Sequence, residues 1–315
     1  MILDETLGDI PMKRLVDRAR VLGVAREFFA SRGFLEVHTP LMVPSPGLDV
    51  HLDAFEVVGG DRGAPRWLIT SPEYQMKRLL ADGWERIVEI VPCFRRDEIG
   101  AWHNAEFTMI EWYRGGASVE DVIRDTEQLV SAVGDGTLRV HGRAIDALPP
   151  FERLSVCEAF RRFAGWTEAQ TLDRAAADED SFYRALVERV EPELARMDRA
   201  TFMVDYPASQ ASLARPKPGD PRVAERFELY IGGVELCNGF GELIDPVEQR
   251  RRLESDRQLR RSLGLPVYPI DERFLDALSR VPPSAGNALG FDRLVALATG
   301  SDRIGEVMSM TVDEV

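Results

Sequence analysis

The sequence predicts an α+β domain built on a mostly antiparallel sheet with helices packed against it. Short runs rich in β-branched and aromatic residues alternate with longer stretches of helical periodicity. The pair Gly232-Gly233 joins two of these runs in the manner of a β-hairpin. Hydrophobic residues make up 44% and charged residues 29% of the 315 residues, a composition typical of a chain that buries a globular core.

The N-terminal part predicts one long helix followed by short strands. Leu15, Ala19, Leu22, Ala25 and Phe29 recur at steps of three and four residues, which predicts an amphipathic helix over 12–32. A strand at 34–40 should stop at its final proline, and the proline-rich residues 43–48 read as loop. Further strands are expected at 67–70, 87–91 and 107–113, and a capping-box pattern at 118–121 starts the next helix.

The C-terminal part predicts a helical insertion followed by a return to strands. Charged, alanine-rich sequence at about 140–200 indicates a helical insertion or small helical subdomain. Strands are expected at 201–204, 227–231 and 234–238, a long helix at 247–263, and a glycine-rich passage from strand to helix at 285–299. No repeat or low-complexity linker interrupts the chain, so we expect one domain over 1–315.

The charge and the cysteines exclude several classes of protein. The chain has 39 Lys and Arg against 53 Asp and Glu, a net charge of −14, which argues against sequence-blind binding to nucleic acid or an anionic membrane. Three scattered cysteines form neither a disulfide framework nor a zinc-binding pattern. With no signal-peptide pattern and no apolar run near the ~18 residues of a membrane helix, we expect a cytoplasmic protein that does not bind membranes.

One predicted strand carries polar residues that suit a binding site. Phe107, Met109, Glu111 and Tyr113 alternate along it and therefore share one face. A buried acid is rare without a partner, so this face is poor core material. The alternative is an amphipathic strand whose polar face lies in water.

Two acids flank a glycine-rich stretch and suit a hard cation such as Mg²⁺. Glu235 and Glu242 are seven residues apart, which puts them on opposite faces of a straight strand. They converge only if Gly239 and Gly241 break the regular pleat. The alternative is two solvated surface acids.

Together these residues resemble the three motifs of class II aminoacyl-tRNA synthetases. Residues 34–46 resemble the dimer-forming motif 1, and 94–114 resemble motif 2, whose arginine is Arg95. Residues 286–294 resemble motif 3, whose arginine is Arg293. The stretch SPEYQMK at 71–77 and the sequences at 225–228 and 242–250 are similar to those of lysyl-tRNA synthetases.

The chain departs from lysyl-tRNA synthetases at its N-terminus. Those enzymes carry an anticodon-binding OB-fold of ~100 residues, for which there is no room before the helix at about residue 12. A truncated synthetase-like chain of this kind, with YPASQASL at 206–213, resembles the elongation factor P (R)-β-lysine ligase (lysyltransferase) family. The resemblance implies an ATP-dependent ligase that activates (R)-β-lysine or lysine as an adenylate and releases pyrophosphate. It then transfers the aminoacyl group to a lysine ε-amine of elongation factor P and releases AMP. It also implies a homodimer and no tRNA substrate.

The resemblance assigns roles to individual residues. Arg95 and Arg293 are the expected catalytic residues, with Arg95 at the α-phosphate and Arg293 on adenine. The expected ATP-binding residues are Arg95, Arg96, Asp97, His103, Asn104, Phe107, Glu235, Leu236, Gly290 and Arg293. The expected amino-acid-binding residues are Ser71, Pro72, Glu73, Glu111, Tyr113, Asn238, Glu242 and Ala288, and the expected Mg²⁺ ligands are Glu235 and Glu242.

Some departures leave alternatives open. The usual Arg-Asn-Glu of motif 2 is here Arg95-Arg96-Asp97, so the acid that accepts the adenine amine is shortened or replaced by Glu98. One alternative is a lysyl-tRNA synthetase paralogue or free amino-acid ligase with another acceptor. Another is a catalytically inactive regulatory paralogue, against which the intact Arg95, Arg293, Glu235 and Glu242 argue.

Overall fold

The computed structural model describes residues 10–59 and 64–315. Its strands are β1 Leu35–Glu36, β2 Met42–Val43, β3 Glu56–Val57, β4 Arg66–Leu68, β5 Arg86–Phe94, β6 Glu106–Gly115, β7 Thr137–Val140, β8 Arg143–Asp146, β9 Glu152–Ser155, β10 Thr201–Pro207, β11 Pro216–Lys217, β12 Asp220–Ile231, β13 Val234–Gly241 and β14 Ser284–Gly290. Its α-helices are α1 Ile10–Ala30, α2 Glu73–Ala81, α3 Val119–Gly134, α4 Val156–Ala159, α5 Glu168–Ala177, α6 Glu179–Ala185, α7 Glu191–Leu194, α8 Pro246–Ser262, α9 Glu272–Leu278 and α10 Phe291–Thr299. The π-helical turns Phe160–Ala164 and Leu186–Val190 continue α4 and α6, and 3₁₀ turns lie at Ala208–Gln210, Ile304–Val307 and Val312–Glu314.

The main sheet has nine strands and is mostly antiparallel. Its order is β1-β5-β6-β14-β13-β12-β10-β9, with β11 paired to β12. The outer pairs β1–β5 and β9–β10 are parallel, whereas the strands between them are antiparallel. β14 follows the other strands in the sequence yet lies between β6 and β13. The predicted α+β class is therefore confirmed.

One face of this sheet packs against α1, α3 and α10, and the other face borders a cavity. Ile110 and Trp112 of β6 are fully buried in a core shared with α1, α3 and α10, where the Trp112 ring lies 5.2 Å from that of Phe29. Because side chains alternate along a strand, Glu111 and Tyr113 point to the opposite face. On that side Tyr113 packs against residues of α2 and α9, and a cavity lies beside them.

The segment at about 140–200 is less helical than the sequence predicts. Residues 137–155 form the hairpin β7–β8 and the strand β9, which extends the main sheet. Leu138, Val140 and Ile145 are buried while the residues between them are not, the period-two pattern of a half-buried strand. The helices occupy only 156–194, where Phe160 and Phe182 stack at 4.7 Å in a small core of their own.

Smaller differences concern the segments before β5. The strand expected at 34–40 is reduced to two residues, and the two-residue strand β2 includes Val43, where the loop at 43–48 was expected to begin. Pro40 and Pro44 have no backbone N–H to donate to a neighbouring strand, which keeps both strands short. No helix in the described parts of the chain is long and apolar enough to cross a membrane.

Candidate active site

A cavity of about 730 Å³ lies over the face of the sheet that carries Glu111 and Tyr113. The sheet forms its floor, and its walls come from the loop at 45–52, from α2, from α8 and from helices α5 and α6. Most residues expected from the sequence line it, namely Ser71, Glu73, Arg95, His103, Asn104, Phe107, Glu235, Leu236, Asn238, Ala288, Gly290 and Arg293.

The strand register brings one row of residues together from four strands. Glu228 of β12 pairs with Asn238 of β13, which pairs with Ala288 of β14, which pairs with Glu111 of β6. Directly paired residues of antiparallel strands share a face, so these four face the same side. Asn238 Oδ1 is buried without a hydrogen-bond donor among the described residues, which leaves it free for a ligand.

Glu111 lies just behind the cavity lining and is held by two hydroxyl groups. Tyr113 and Ser71 donate hydrogen bonds of 2.6 and 2.7 Å to its two carboxylate oxygens. Burial, followed by repulsion from Glu73, raises the pKa of Glu111 to about 8. The carboxyl group is therefore available to gain a positive partner, because an ammonium ion nearby would favour its charged form.

A lysine that the sequence analysis left without a role organises the other acids. Lys77 is fully buried on α2, and its ammonium lies 2.5 Å from both a Glu73 oxygen and a Glu242 oxygen. The Glu242 contact lacks hydrogen-bond geometry, so neither of its oxygens has a hydrogen-bond donor among the described residues. Burial raises the pKa of Glu242 to about 7 despite Lys77. Two acids thus contact one lysine, with Glu111 nearby, and this acid-rich end of the site suits a substrate with ammonium groups.

Gly286 permits this arrangement by its lack of a side chain. A Cβ atom there would lie 2.4 Å from the Tyr113 ring and 2.9 Å from Glu242 Oε1. Real Cβ atoms do not approach other atoms so closely, so the tyrosine and the glutamate can lie over β14 only at a glycine.

The opposite end of the cavity is rich in arginine. Arg95 follows the last residue of β5, and its guanidinium lies 5.0 Å from the Phe107 ring centroid and 3.7 Å from Glu98. Arg293 lies in the first turn of α10, where it donates to the backbone oxygens of Glu235 at 2.7 Å and Trp102 at 3.1 Å. Such forked, fixed cations suit the binding of phosphate.

His103 shares the environment of Arg293. Its Nε2 atom lies 2.8 Å from an Arg293 nitrogen. Burial, and then the positive charge of Arg293, lower the pKa of His103. The ring is therefore neutral at pH 7 and accepts a hydrogen bond from the arginine.

The two predicted metal ligands lie at opposite ends of the cavity. Leu236 has no partner across the β12–β13 pair, and this bulge turns Glu235 to the face of Asn238 and Glu242. Seven residues of strand still separate Glu235 from Glu242 by about 20 Å, too far for one ion. Gly239 and Gly241 do not bend the strand but make room for side chains of β12.

The acid that perturbs the pKa of Glu235 is Glu228 rather than Glu242. Burial and then the charge of Glu228 raise the pKa of Glu235 to about 7, while Arg293 lowers it. Glu228 itself is fixed by Arg226 at 2.6 Å and by the Tyr230 hydroxyl at 2.8 Å. Among the described residues, no group of three or more His, Cys, Asp or Glu side chains is arranged to hold a metal. One or two carboxylates are nevertheless what Mg²⁺ uses when substrate phosphates supply further ligands.

The remaining predicted residues lie outside the cavity lining. Pro72 precedes α2 as its N-cap, while Tyr113 and Glu242 lie with Glu111 behind the lining. Arg96 turns away to an ion pair of 2.8 Å with Asp53.

The departure at Asp97 also changes the site. The Asp97 side chain is 83% exposed and its backbone has φ of 67°. Glu98 lines the cavity beside Arg95, so of the two acids considered for the adenine amine the geometry favours Glu98.

The sequence carried signals for two of the residues that were missed. Lys77 follows Glu73 by four residues, the spacing of a helical ion pair. Glu228 lies in the stretch at 225–228 that resembles lysyl-tRNA synthetases, and the alternation of β12 puts it on the same face as Tyr230. Neither signal reveals that Lys77 contacts Glu242 or that Glu228 lies near Glu235, because these contacts depend on the tertiary fold.

Comparisons with known proteins identify the family of this chain. A family profile described as "tRNA synthetases class II (D, K and N)" matches residues 9–312. A relative from Klebsiella pneumoniae subsp. pneumoniae, named elongation factor P–(R)-β-lysine ligase, is 41% identical over 96% of each chain. Relatives of the same name from Proteus mirabilis and Erwinia tasmaniensis are 41% and 42% identical, over 95% of this chain and 94% and 95% of their own.

Proposed function

Since this chain belongs to the class II tRNA synthetase family (D, K and N), we propose that it is an ATP-dependent ligase that attaches (R)-β-lysine or lysine to elongation factor P. The family predicted from the motifs is confirmed. The name shared by relatives about 40% identical over nearly their full length supports the reaction. One structural observation carries the proposal: Glu73 and Glu242, both in contact with Lys77, form with Glu111 a cluster of acids in the same site as a pair of arginines.

In the first step, the amino-acid carboxylate attacks the α-phosphorus of ATP, and pyrophosphate leaves. Arg95 would bind the α-phosphate, and Phe107 and Arg293 would hold the adenine between them. Glu73, Glu111 and Glu242 would hold the ammonium groups of the amino acid. The chain needs no nucleophile of its own, because positioning and neutralisation of charge lower the barrier.

Glu235, with Glu228 beside it, fits a Mg²⁺ ion that is otherwise held by phosphates. The ion would neutralise phosphate charge as the pyrophosphate departs. The contact of Glu242 with Lys77 supports a role for Glu242 at the amino-acid end of the site rather than at the metal. In the second step, a neutral lysine ε-amine of the acceptor attacks the activated carbonyl, and AMP leaves with the electrons of the broken C–O bond.

We further propose a cytoplasmic homodimer that does not act on tRNA. Apolar side chains in motif 1 and in the helix before it support the dimer, since Leu35 of β1 and Met42 of β2, and Leu15 and Val16 of α1, are exposed in the single chain. A closed two-fold dimer is also the commonest oligomer. Light scattering that gives the monomer mass at micromolar concentration, in a fully active sample, would reject the dimer.

Intact-mass analysis of elongation factor P tests the proposed reaction. Elongation factor P is incubated with the chain, ATP and each lysine isomer, and tRNA is offered in a parallel sample. A mass increase of one lysyl group on the protein, without acylation of tRNA, is the expected result. Acylated tRNA would instead identify a lysyl-tRNA synthetase paralogue, and absence of pyrophosphate exchange with both isomers would identify an inactive one.

A further inference from the structure

The cavity continues beyond the residues assigned to ATP and the amino acid. At its outer end, Asp49 of the loop at 45–52, Glu179 of α6 and Asp256 of α8 line it together. We call these three carboxylates the acidic mouth. They belong to three elements that do not contribute to the sheet, and so they lie opposite the floor.

The three acids are close enough to act on one another. Burial, and then the charges of Asp49 and Glu179, raise the pKa of Asp256 to about 6, whereas Arg252 and His51 oppose the shift. The His51 ring packs edge-on against Tyr183 of α6 at 6.0 Å, which joins the loop to the helix. A cationic group placed among these carboxylates would relieve this repulsion.

The mouth differs from the rest of α8, where acids are paired. Glu248 forms ion pairs with Arg251 and Arg252 at 2.7 and 2.8 Å. Asp256 forms no ion pair within the described residues, although it is half-buried. Its negative charge is therefore left for a partner outside this chain.

Gln249 supplies an independent sign of a ligand. It lies on α8 seven residues before Asp256, two helical turns along the same face, and it lines the same cavity. The side chain is fully buried, and both its amide oxygen and its amide nitrogen lack hydrogen-bond partners among the described residues. Buried amides are nearly always satisfied, so this one points to a polar group that enters the cavity.

Hydrogen bonds to Gln210 hold α6 in place in the chain without a bound partner. Gln210 accepts a hydrogen bond of 2.6 Å from the Tyr183 hydroxyl. Its amide nitrogen donates to the Ala175 carbonyl at 3.1 Å and to Glu179 at 3.2 Å. The mouth is thus preformed, and a partner need not order it on binding.

Building on the proposed function, we propose that the acidic mouth and Gln249 form the acceptor subsite, through which a lysine side chain on a positively charged protein segment reaches the activated carbonyl. The sheet closes the floor of the cavity, so a protein acceptor approaches from the mouth. The carboxylates attract the cationic side chain and its basic neighbours, and the Gln249 amide binds the polar part of the entering segment.

The test separates the two half-reactions. The double variant Glu179→Gln/Asp256→Asn removes two charges from the mouth, and Gln249→Leu removes the amide at similar volume. The control Asp180→Asn/Glu254→Gln changes the net charge equally on the same two helices but away from the cavity. For each, pyrophosphate exchange reports the first step, and single-turnover transfer from preformed adenylate to elongation factor P reports the second.

We expect the mouth variant to lower kcat/KM for elongation factor P about tenfold at low salt and to weaken its salt dependence, with pyrophosphate exchange unchanged. Gln249→Leu should also slow transfer selectively, and the control should behave as wild type. The inference would be overturned if the double variant and Gln249→Leu both transferred at the wild-type rate, or if they lost both half-reactions equally. In either case, transfer by the wild-type chain would leave the proposed function intact. A wild-type chain that forms adenylate but never modifies elongation factor P would overturn the proposed acceptor itself. Melting temperatures at or above wild type confirm that the charge variants are folded, because repulsion is relieved.

Discussion

Binding of the amino acid should release a proton from Glu111. Without substrate, its pKa of about 8 keeps most of this carboxyl group protonated at pH 6.5. An ammonium ion binds the ionised form, so affinity rises with pH and levels off above the pKa. Between pH 6.5 and 8.0 the ionised fraction rises from about 3% to about 50%, which predicts a gain in affinity of about fifteenfold. Ionisation of Glu242, whose pKa is about 7, should also raise the affinity for the amino acid as the pH increases.

Calorimetric titration of each lysine isomer at the two pH values measures this effect. Repetition in two buffers with different ionisation enthalpies gives the number of protons released. Glu111→Gln keeps the shape but not the charge, so it should lower amino-acid affinity by roughly tenfold or more and reduce both the slope and the proton release. ATP affinity should change little, since Glu111 lies at the amino-acid end.

Stability supplies the matching control. A carboxyl group whose folded pKa is raised takes up a proton on folding, so its contribution is present below about pH 4.5 and is lost as pH rises to about 8. Glu111→Gln should therefore melt above wild type at pH 8 and near it at pH 5. A flat pH dependence of lysine affinity without proton release would refute the reasoning. Loss of melting temperature and of affinity for both substrates would instead show a structural ion pair.

Three further substitutions test other parts of the site. Arg95→Ala should reduce pyrophosphate exchange by roughly 10²–10³. The melting temperature should not fall, because the partly exposed guanidinium contributes little to the core. Near-normal exchange would reject the role of Arg95 at the α-phosphate. Gly286→Ala should displace Tyr113 and Glu242, and a thermal melt and lysine titration should show lost stability of about 1–3 kcal/mol and weakened binding; a silent variant would contradict the close contact. Lys77→Met leaves Glu73 and Glu242 without their positive partner. Chemical unfolding at pH 8 should therefore show a free energy of unfolding lower by about 3–5 kcal/mol, and this loss should diminish at pH 5. A loss that does not depend on pH would point to packing alone.

The residues that the sequence located correctly depend on local structure. Arg95 follows a strand and Arg293 starts a helix, and both positions can be read from the residues around them. Glu111 was assigned a face by alternation along a single strand. Their roles in binding nucleotide and amino acid remain predictions.

The features that the sequence did not locate depend on pairing between distant segments. The separation of Glu235 from Glu242 follows from a bulge at Leu236, and the partner of Glu242 is a lysine 165 positions earlier on α2. Nothing in either segment alone specifies these contacts. The hairpin at 137–146 is a different case, since its alternation was visible but was interpreted with the helical sequence that follows it.

The position of β14 has a consequence for how the protein is made. Every other strand of the main sheet is synthesised before it, yet β14 lies between β6 and β13 and pairs with both. Until residues 284–290 leave the ribosome, those two strands present unpaired edges, and such edges join readily to other chains. The nascent chain should therefore depend on chaperones through most of its synthesis, and truncations that remove β14 should aggregate rather than fold as smaller domains.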